Sequence, residues 1–176
     1  PDEMPAVYCS RTRLVNDKGK LIGLSPLFRR PPVFANSLIH NVGGGNTMVL
    51  NRSARDLLRA AGIVDVPSHD WWTYILIAGS GGAIIYDPHP SMCYRQHDGN
   101  LIGSNMSWSD RLNRFYLALR GRNRRWNTKN IIALQQNRGI MAAESQQVLD
   151  EFCKARDAGF FPRVLGIWRS GVHTQS

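Results

Sequence analysis

The segment His69-Asp70-Trp71-Trp72 sets an imidazole and a carboxylate ahead of two indole rings, directly after Ser68. Serine is a good helix cap, so Asp70 falls in the first turn of a helix, where the dipole and the free N–H groups favour its charge. A carboxylate held there can take a proton from a hydroxyl as that oxygen attacks an electrophilic carbon. Alone, Asp70 reads as a plain helix-start acid. With His69, Trp71 and Trp72 beside it, the general base is the preferred reading. Two adjacent tryptophans on a helix point in different directions, so one is expected to offer a ring face to a ligand or shape a pocket and the other to pack inward. Both rings in the core is the competing reading.

Further along stand Tyr94-Arg95-Gln96-His97 and Asn100. A lone histidine is more often structural than a ligand, and Arg95 suits a diphosphate as well as it suits a strand surface. Earlier, Gly43-Gly44-Gly45 opens the stretch GGGNTMVLN. Three glycines let a backbone approach a ligand closely or simply make a flexible loop. No G-x-G-x-x-G or Walker pattern is present.

The order of GGGNTMVLNR, HDWW and YRQHxxN resembles family 2 glycosyltransferases, and within them the rhamnosyltransferase-like members. The resemblance covers about residues 6 to 105 and is strongest from Gly43 to Asn100. It implies an α/β fold: part of a GT-A-type, Rossmann-like mixed sheet with flanking helices, followed by a C-terminal helical segment. It implies inverting transfer of a sugar from a nucleotide-diphospho-sugar, dTDP-rhamnose or a UDP-sugar, to a saccharide or lipid-linked saccharide. Asp70 is then the base, and Gly44, Gly45, Asn46, Thr47, His69, Trp71 and Trp72 border the donor and acceptor. Arg95 contacts diphosphate, and His97 helps hold a divalent cation, Mg²⁺ or Mn²⁺, the latter accepting an imidazole more readily. The family's D-x-D motif occurs nowhere in the sequence. The chain is therefore expected to be the acceptor-side part of such an enzyme, inactive alone, with most metal ligands elsewhere.

These residues need elements to position them. Ala6 to Ser10 and Arg13 to Val15 read as short strands, with Asn16-Asp17-Lys18-Gly19 turning into Leu21-Ile22 as a hairpin. Thr47 to Leu50 reads as a buried strand. Asn51 or Ser53 caps a helix to Ala61, stopped by Gly62, and a second helix runs from His69 to Ala78, ended by the glycines at 79 to 82. Ala83 to Tyr86 and Met92 to Arg95 read as two strands separated by Pro88 and Pro90. Three helical periods follow, near Trp108 to Leu119, Thr128 to Asn137 and Glu144 to Asp157. The change of pattern puts a boundary at residue 104, between a glycosyltransferase part (1–104) and a basic helical segment (105–176).

The 176 residues carry a net charge of +9, with 10 basic and 8 acidic residues in 1–104 against 12 and 5 in 105–176. The cluster Arg120, Arg122, Arg124 and Arg125 beside Trp126 suits a lipid headgroup layer or nucleic acid, or is a solvated helix face. With no recognised nucleic-acid motif, no nucleic-acid partner is expected, and a glycan- or membrane-binding module is the alternative function. Three dispersed cysteines (Cys9, Cys93, Cys153) argue for a reducing compartment and against zinc. No apolar run reaches a membrane span. The location expected is cytoplasmic, at most peripheral on the inner membrane face. The chain opens on Pro1 without signal-peptide features and is expected to be processed, trimmed or a piece of something longer. An incomplete sheet would expose strand edges, so self-association is expected.

Overall fold

The computed structural model describes residues 3–96 and 122–157. The chain is α/β, an open four-stranded sheet with five α-helices among the described residues. Its centre is β1 (Ala6–Val15), one continuous strand where two short ones were expected. The Asn16–Gly19 turn forms, with Gly19 at φ 76°, and leads into β2 (Leu21–Leu24), antiparallel to the end of β1. At the other end of the same edge lies β3 (Val49–Leu50), also antiparallel. The whole opposite edge of β1 is taken by β4 (Ala83–Arg95), in parallel. A Rossmann-like sheet has several parallel strands in sequence; here one parallel pair is present among the described residues.

Two further expectations about strands are corrected. The second is that Pro88 and Pro90 break β4, yet the strand runs through them. The register slips at Ser10/Arg11 and Arg11/Thr12 absorb the extra residues, because bulges tolerate proline's missing N–H. β1 changes its buried side at the same place, from Val7 and Cys9 to Ser10, Thr12 and Leu14. The first correction concerns Thr47 to Leu50. Thr47 is buried, but it ends a 3₁₀ turn (Gly45–Thr47), and β3 is two exposed residues, with Val49 64% exposed.

Helix α1 is a single turn (Phe34–Ser37). Helix α2 (Arg52–Ala61) starts on Asn51, whose Oδ1 accepts the N–H of Ala54 (2.9 Å) and of Ala6 (3.0 Å), so one cap joins the helix to the first residue of β1. Helix α3 (His69–Gly79) is apolar on every side, and Trp71 through Gly79 are all buried, as an all-round hydrophobic helix must be. It stops where Gly81 takes φ 80° and Gly82 presses against the Pro5 carbonyl and Ile77. The chain then turns straight into β4, with Ala83 N–H donating to the Pro5 carbonyl at 2.8 Å.

Helices α4 (Arg122–Gln136) and α5 (Ala143–Asp157) are joined by a short 3₁₀ turn (Arg138–Ile140), whose Arg138 is held on Asp150 of α5 by two hydrogen bonds of 2.8 and 2.7 Å. Ile131 and Leu134 of α4, and Leu149 and Phe152 of α5, join one buried cluster with Trp72 and Leu76 of α3. The pair is also tied to the end of α3 by Ala142 N–H donating to the Gly79 carbonyl at 2.9 Å. The helical period expected at Trp108 to Leu119 lies outside the described residues. Among the described residues no helix is long and apolar enough to cross a membrane. No other described strand pairs with the outer edge of β4.

Candidate functional site

Asp70 sits in the first turn of α3 and is partly exposed. Its Oδ1 accepts the N–H of Trp71 at 2.7 Å, and its Oδ2 accepts the N–H of Gly45 at 3.2 Å. The second bond crosses from the helix to the 3₁₀ turn, so the carboxylate is fixed by two backbone groups from separate elements. That turn is in turn braced on the sheet. Thr47 Oγ1 accepts the N–H of Ser10 (3.2 Å) and donates to the Gly44 carbonyl (3.0 Å).

The triple glycine is not a loose loop. Gly43 is buried, and a Cβ on it would lie 2.9 Å from Cβ and Sγ of Cys9. Burial also pushes the Cys9 thiol up to about 11, which removes it as a nucleophile near neutral pH. A Cβ on Gly45 would lie 2.5 Å from Nε2 of His69, so the imidazole keeps its place only because residue 45 is glycine. His69 itself is exposed, with its carbonyl accepting from Thr73 Oγ1 at 2.8 Å. Asn46 is exposed and folds its Oδ1 back over Gly44. Gly44, Gly45, Asn46, Thr47, His69 and Asp70 therefore do come together, around one turn.

The two tryptophans do not divide as expected. Both are buried, Trp71 at 7% and Trp72 at 5% exposure. Trp71 donates its Nε1–H to the Ser37 carbonyl at 2.6 Å and meets Trp126 of α4 edge to face, with centroids 6.3 Å apart. Neither ring offers a face for a sugar to stack on; both hold α3 in the core so that Asp70 and His69 stay at its exposed start. The reason is that α3 is covered on all sides, by α1 and the α4–α5 pair as well as by the sheet.

Arg95 lies at the end of β4, in register with Val15. Val15 is five residues past Ser10, on the order of 16 Å along the strand. Arg95 is thus at the far end of the sheet from the Thr47–Ser10 brace. His97 and Asn100 lie outside the described residues. Among the described residues no group of three or more His, Cys, Asp or Glu could hold a metal ion.

Comparison with family models, curated proteins and solved structures returned no match. An ionised carboxylate has about four acceptor positions, and Asp70 uses two on backbone donors. The remaining lone pairs can accept a substrate hydroxyl.

Sequence reasoning missed a second polar cluster. Asp87 accepts the Tyr8 O–H on Oδ2 (2.8 Å), and on Oδ1 the N–H and ring of His89 (2.8 and 3.1 Å). Ser10 and Ser91 hydroxyls pair at 2.5 Å nearby. The His89 N–H, then the Tyr8 O–H, hold the Asp87 carboxyl below its ordinary range, and that bond raises Tyr8 above its own. Strand alternation puts Tyr8 and Ser10 on the sheet face opposite Cys9 and α3. The signal available was the Asp87-Pro88-His89-Pro90 run, which makes the bulge that this cluster pins.

Proposed function

We propose that this chain carries the acceptor side of a glycosyltransferase. It moves a sugar, with inversion, from a nucleotide-diphospho-sugar to a saccharide hydroxyl, and Asp70 is the general base. The observation that carries the reading is the Asp70 carboxylate, fixed by the Gly45 and Trp71 N–H groups at the exposed start of a buried helix. A base must meet its proton within hydrogen-bond reach in a defined direction, and a carboxylate held from two elements meets that need. The motif order GGGNTMVLNR, HDWW, YRQHxxN supports the same reaction.

In this reading the open sheet is the acceptor-side part of a GT-A-type sheet. His69 and Asn46 flank the acceptor hydroxyl, and the buried tryptophans support the site from behind. Donor, diphosphate and divalent cation are bound mainly by residues outside those described here, His97 among them; Arg95, at the far end of the sheet from the Asp70 turn, is not a diphosphate contact of this site. The family's metal motif is missing from the sequence, so the chain alone is inactive on this reading.

The test is a transfer assay with dTDP-rhamnose and UDP-sugars in Mg²⁺ or Mn²⁺, on the chain and on a version extended through its upstream coding sequence. The extended version should bind donor and transfer. Asp70→Asn should keep donor binding and lose transfer by about 10²-fold or more, the scale of general-base catalysis. Transfer that survives Asp70→Asn, or no donor binding by either version, would overturn the reading.

A further inference from the structure

A groove of about 240 Å³ lies between the α2–α3 connection and α4. Ile63 and Val64 form one wall, and Lys129, Ile132, Ala133 and Gln136 form the other. Ala133 is buried and Val64 packs on the main cluster, so both walls are fixed to the core. The rim is apolar and bare. Ile63 is 105% exposed, the highest value among the large hydrophobic residues described, and Ile132 is 49% exposed. Single exposed aliphatics are ordinary on a protein surface. Two on opposite walls of one concavity leave apolar area that a partner can cover.

The α4 wall continues past the groove as one stripe. Arg125, Lys129, Ile132 and Gln136 follow i, i+4, i+7, i+11 spacing and share a face of the helix, while Arg124 falls off it. Arg125 is exposed and makes no ion pair among the described residues. Lys129 meets Asp65 at 2.7 Å, in an exposed contact of the kind a better partner displaces at little cost. Residues 122 to 143 hold five Lys and Arg and no Asp or Glu. The stripe is thus cationic at Arg125 and Lys129 and apolar at Ile132.

We propose that this groove docks an acidic amphipathic helix of another protein, with an aliphatic side chain seated between Ile63 and Ile132 and carboxylates on Arg125 and Lys129. Arg125 to Ile132 spans about 10 Å along the axis, which is the i to i+7 reach of a helix laid in a groove. Charge and shape decide between occupants. A second copy set symmetrically on this face would bring Arg125 and Lys129 against their own equivalents. A bilayer touches what protrudes and leaves a concave wall unfilled. An acidic helix covers the apolar walls and neutralises the cations. Docking here does not depend on what Asp70 does.

The experiment uses the full chain and three labelled helical peptides of about 18 residues. One carries Leu on one face and Glu on the other, the second has Lys in place of Glu, and the third has Ser in place of Leu. Fluorescence anisotropy measures their binding to the wild type, Ile63→Ser and Arg125→Glu, after thermal unfolding has shown that the folds match; both residues are exposed. The Leu–Glu peptide should bind the wild type, less tightly as salt rises. The other two peptides should bind it roughly tenfold more weakly or worse. Ile63→Ser should lose roughly tenfold with the Leu–Glu peptide. Arg125→Glu should lose a similar factor and gain with the Leu–Lys peptide, a reversal of preference that a merely structural arginine would not produce. Equal binding of the Leu–Glu peptide by the wild type and both variants, or none by the wild type, overturns the proposal. So does a dimer in sedimentation equilibrium, or binding to phosphatidylglycerol vesicles, that Ile63→Ser abolishes, since each gives the groove to another occupant.

Discussion

The backbone N–H of Gly45 lies 3.2 Å from Oδ2 of Asp70, and this bond joins the 3₁₀ turn to the start of α3. The same glycine leaves His69 its place, because a Cβ on it would lie 2.5 Å from Nε2. Gly45→Ala should therefore act on geometry more than on stability. His69 is exposed and can swing aside, so unfolding should shift by about 1 kcal/mol or less. The swing, and any retreat of the turn, misplaces the base, and transfer should fall by roughly 10²-fold. Urea unfolding and transfer rates on the extended chain check both. An unchanged rate would separate His69 and the turn from the chemistry.

Much of the local structure was legible. Asn51 and Gly62 bound α2, and His69 and the glycines at 79 to 82 bound α3, because capping and φ > 0 are local demands. Asp70, His69 and the GGGNT turn, apart in sequence, lie together in the fold. What sequence could not give is tertiary. Nothing local says that β1 pairs on both edges, that β4 runs through two prolines by bulging, or that helices 50 residues later cover both tryptophans. An indole pair at a helix start reads alike whether a sugar or Trp126 faces it.

Trp71→Phe tests the supporting role of that ring. The substitution removes the Nε1–H that donates to the buried Ser37 carbonyl at 2.6 Å and shrinks the edge-to-face contact with Trp126. An unsatisfied buried acceptor costs about 1–3 kcal/mol, and the lost ring volume adds to it. A loss of about 2–3 kcal/mol in urea unfolding is expected. A change under about 0.5 kcal/mol would mean that Trp71 is not a structural anchor.

Acid stability should report on Asp87 and Asp150. The His89 N–H and Tyr8 O–H lower Asp87, and the Arg138 guanidinium lowers Asp150. A folded value below the unfolded one gives stability that is fully present above the unfolded carboxylate range. It is lost as pH falls through the folded values. Urea midpoints should thus drop below about pH 4, less steeply in Asp87→Asn and least in Asp87→Asn/Asp150→Asn. Tyr8 has the opposite sign: its raised value means stability lost as pH climbs above about 10. In Asp87→Asn, ultraviolet titration should show Tyr8 ionising nearer its ordinary value. Acid limbs of equal slope in all three proteins would contradict the Asp87 cluster.

Cys9 and Cys93 should separate cleanly in thiol labelling. Cys9 is 1% exposed and pushed up to about 11 by burial, whereas Cys93 is exposed on β4. The thiolate is the reactive form, so at pH 8 Cys93 should react with a disulfide reagent within the dead time of mixing by hand. Cys9 should react only as fast as the sheet opens. Mass spectrometry of the labelled chain assigns the sites, and prompt labelling of Cys9 would show that β1 is not packed under α3 as described.

Two glycine substitutions should differ in sign. At Gly82 a Cβ would lie 2.5 Å from the Pro5 carbonyl and 2.9 Å from the Ile77 carbonyl, both backbone atoms held by the turn between α3 and β4. Neither can retreat without breaking the bonds they accept, Ala83 N–H to Pro5 and Gly82 N–H to Ile77, each 2.8 Å. Gly82→Ala should cost about 3 kcal/mol. Gly139, in the short 3₁₀ turn between α4 and α5, has open space at its Cβ and no positive φ. Alanine there restricts only the unfolded chain and should add about 0.4–1 kcal/mol. Thermal unfolding of the two variants measures the difference. If both move the same way, the close approach of Gly82 to β1 is not what limits that turn.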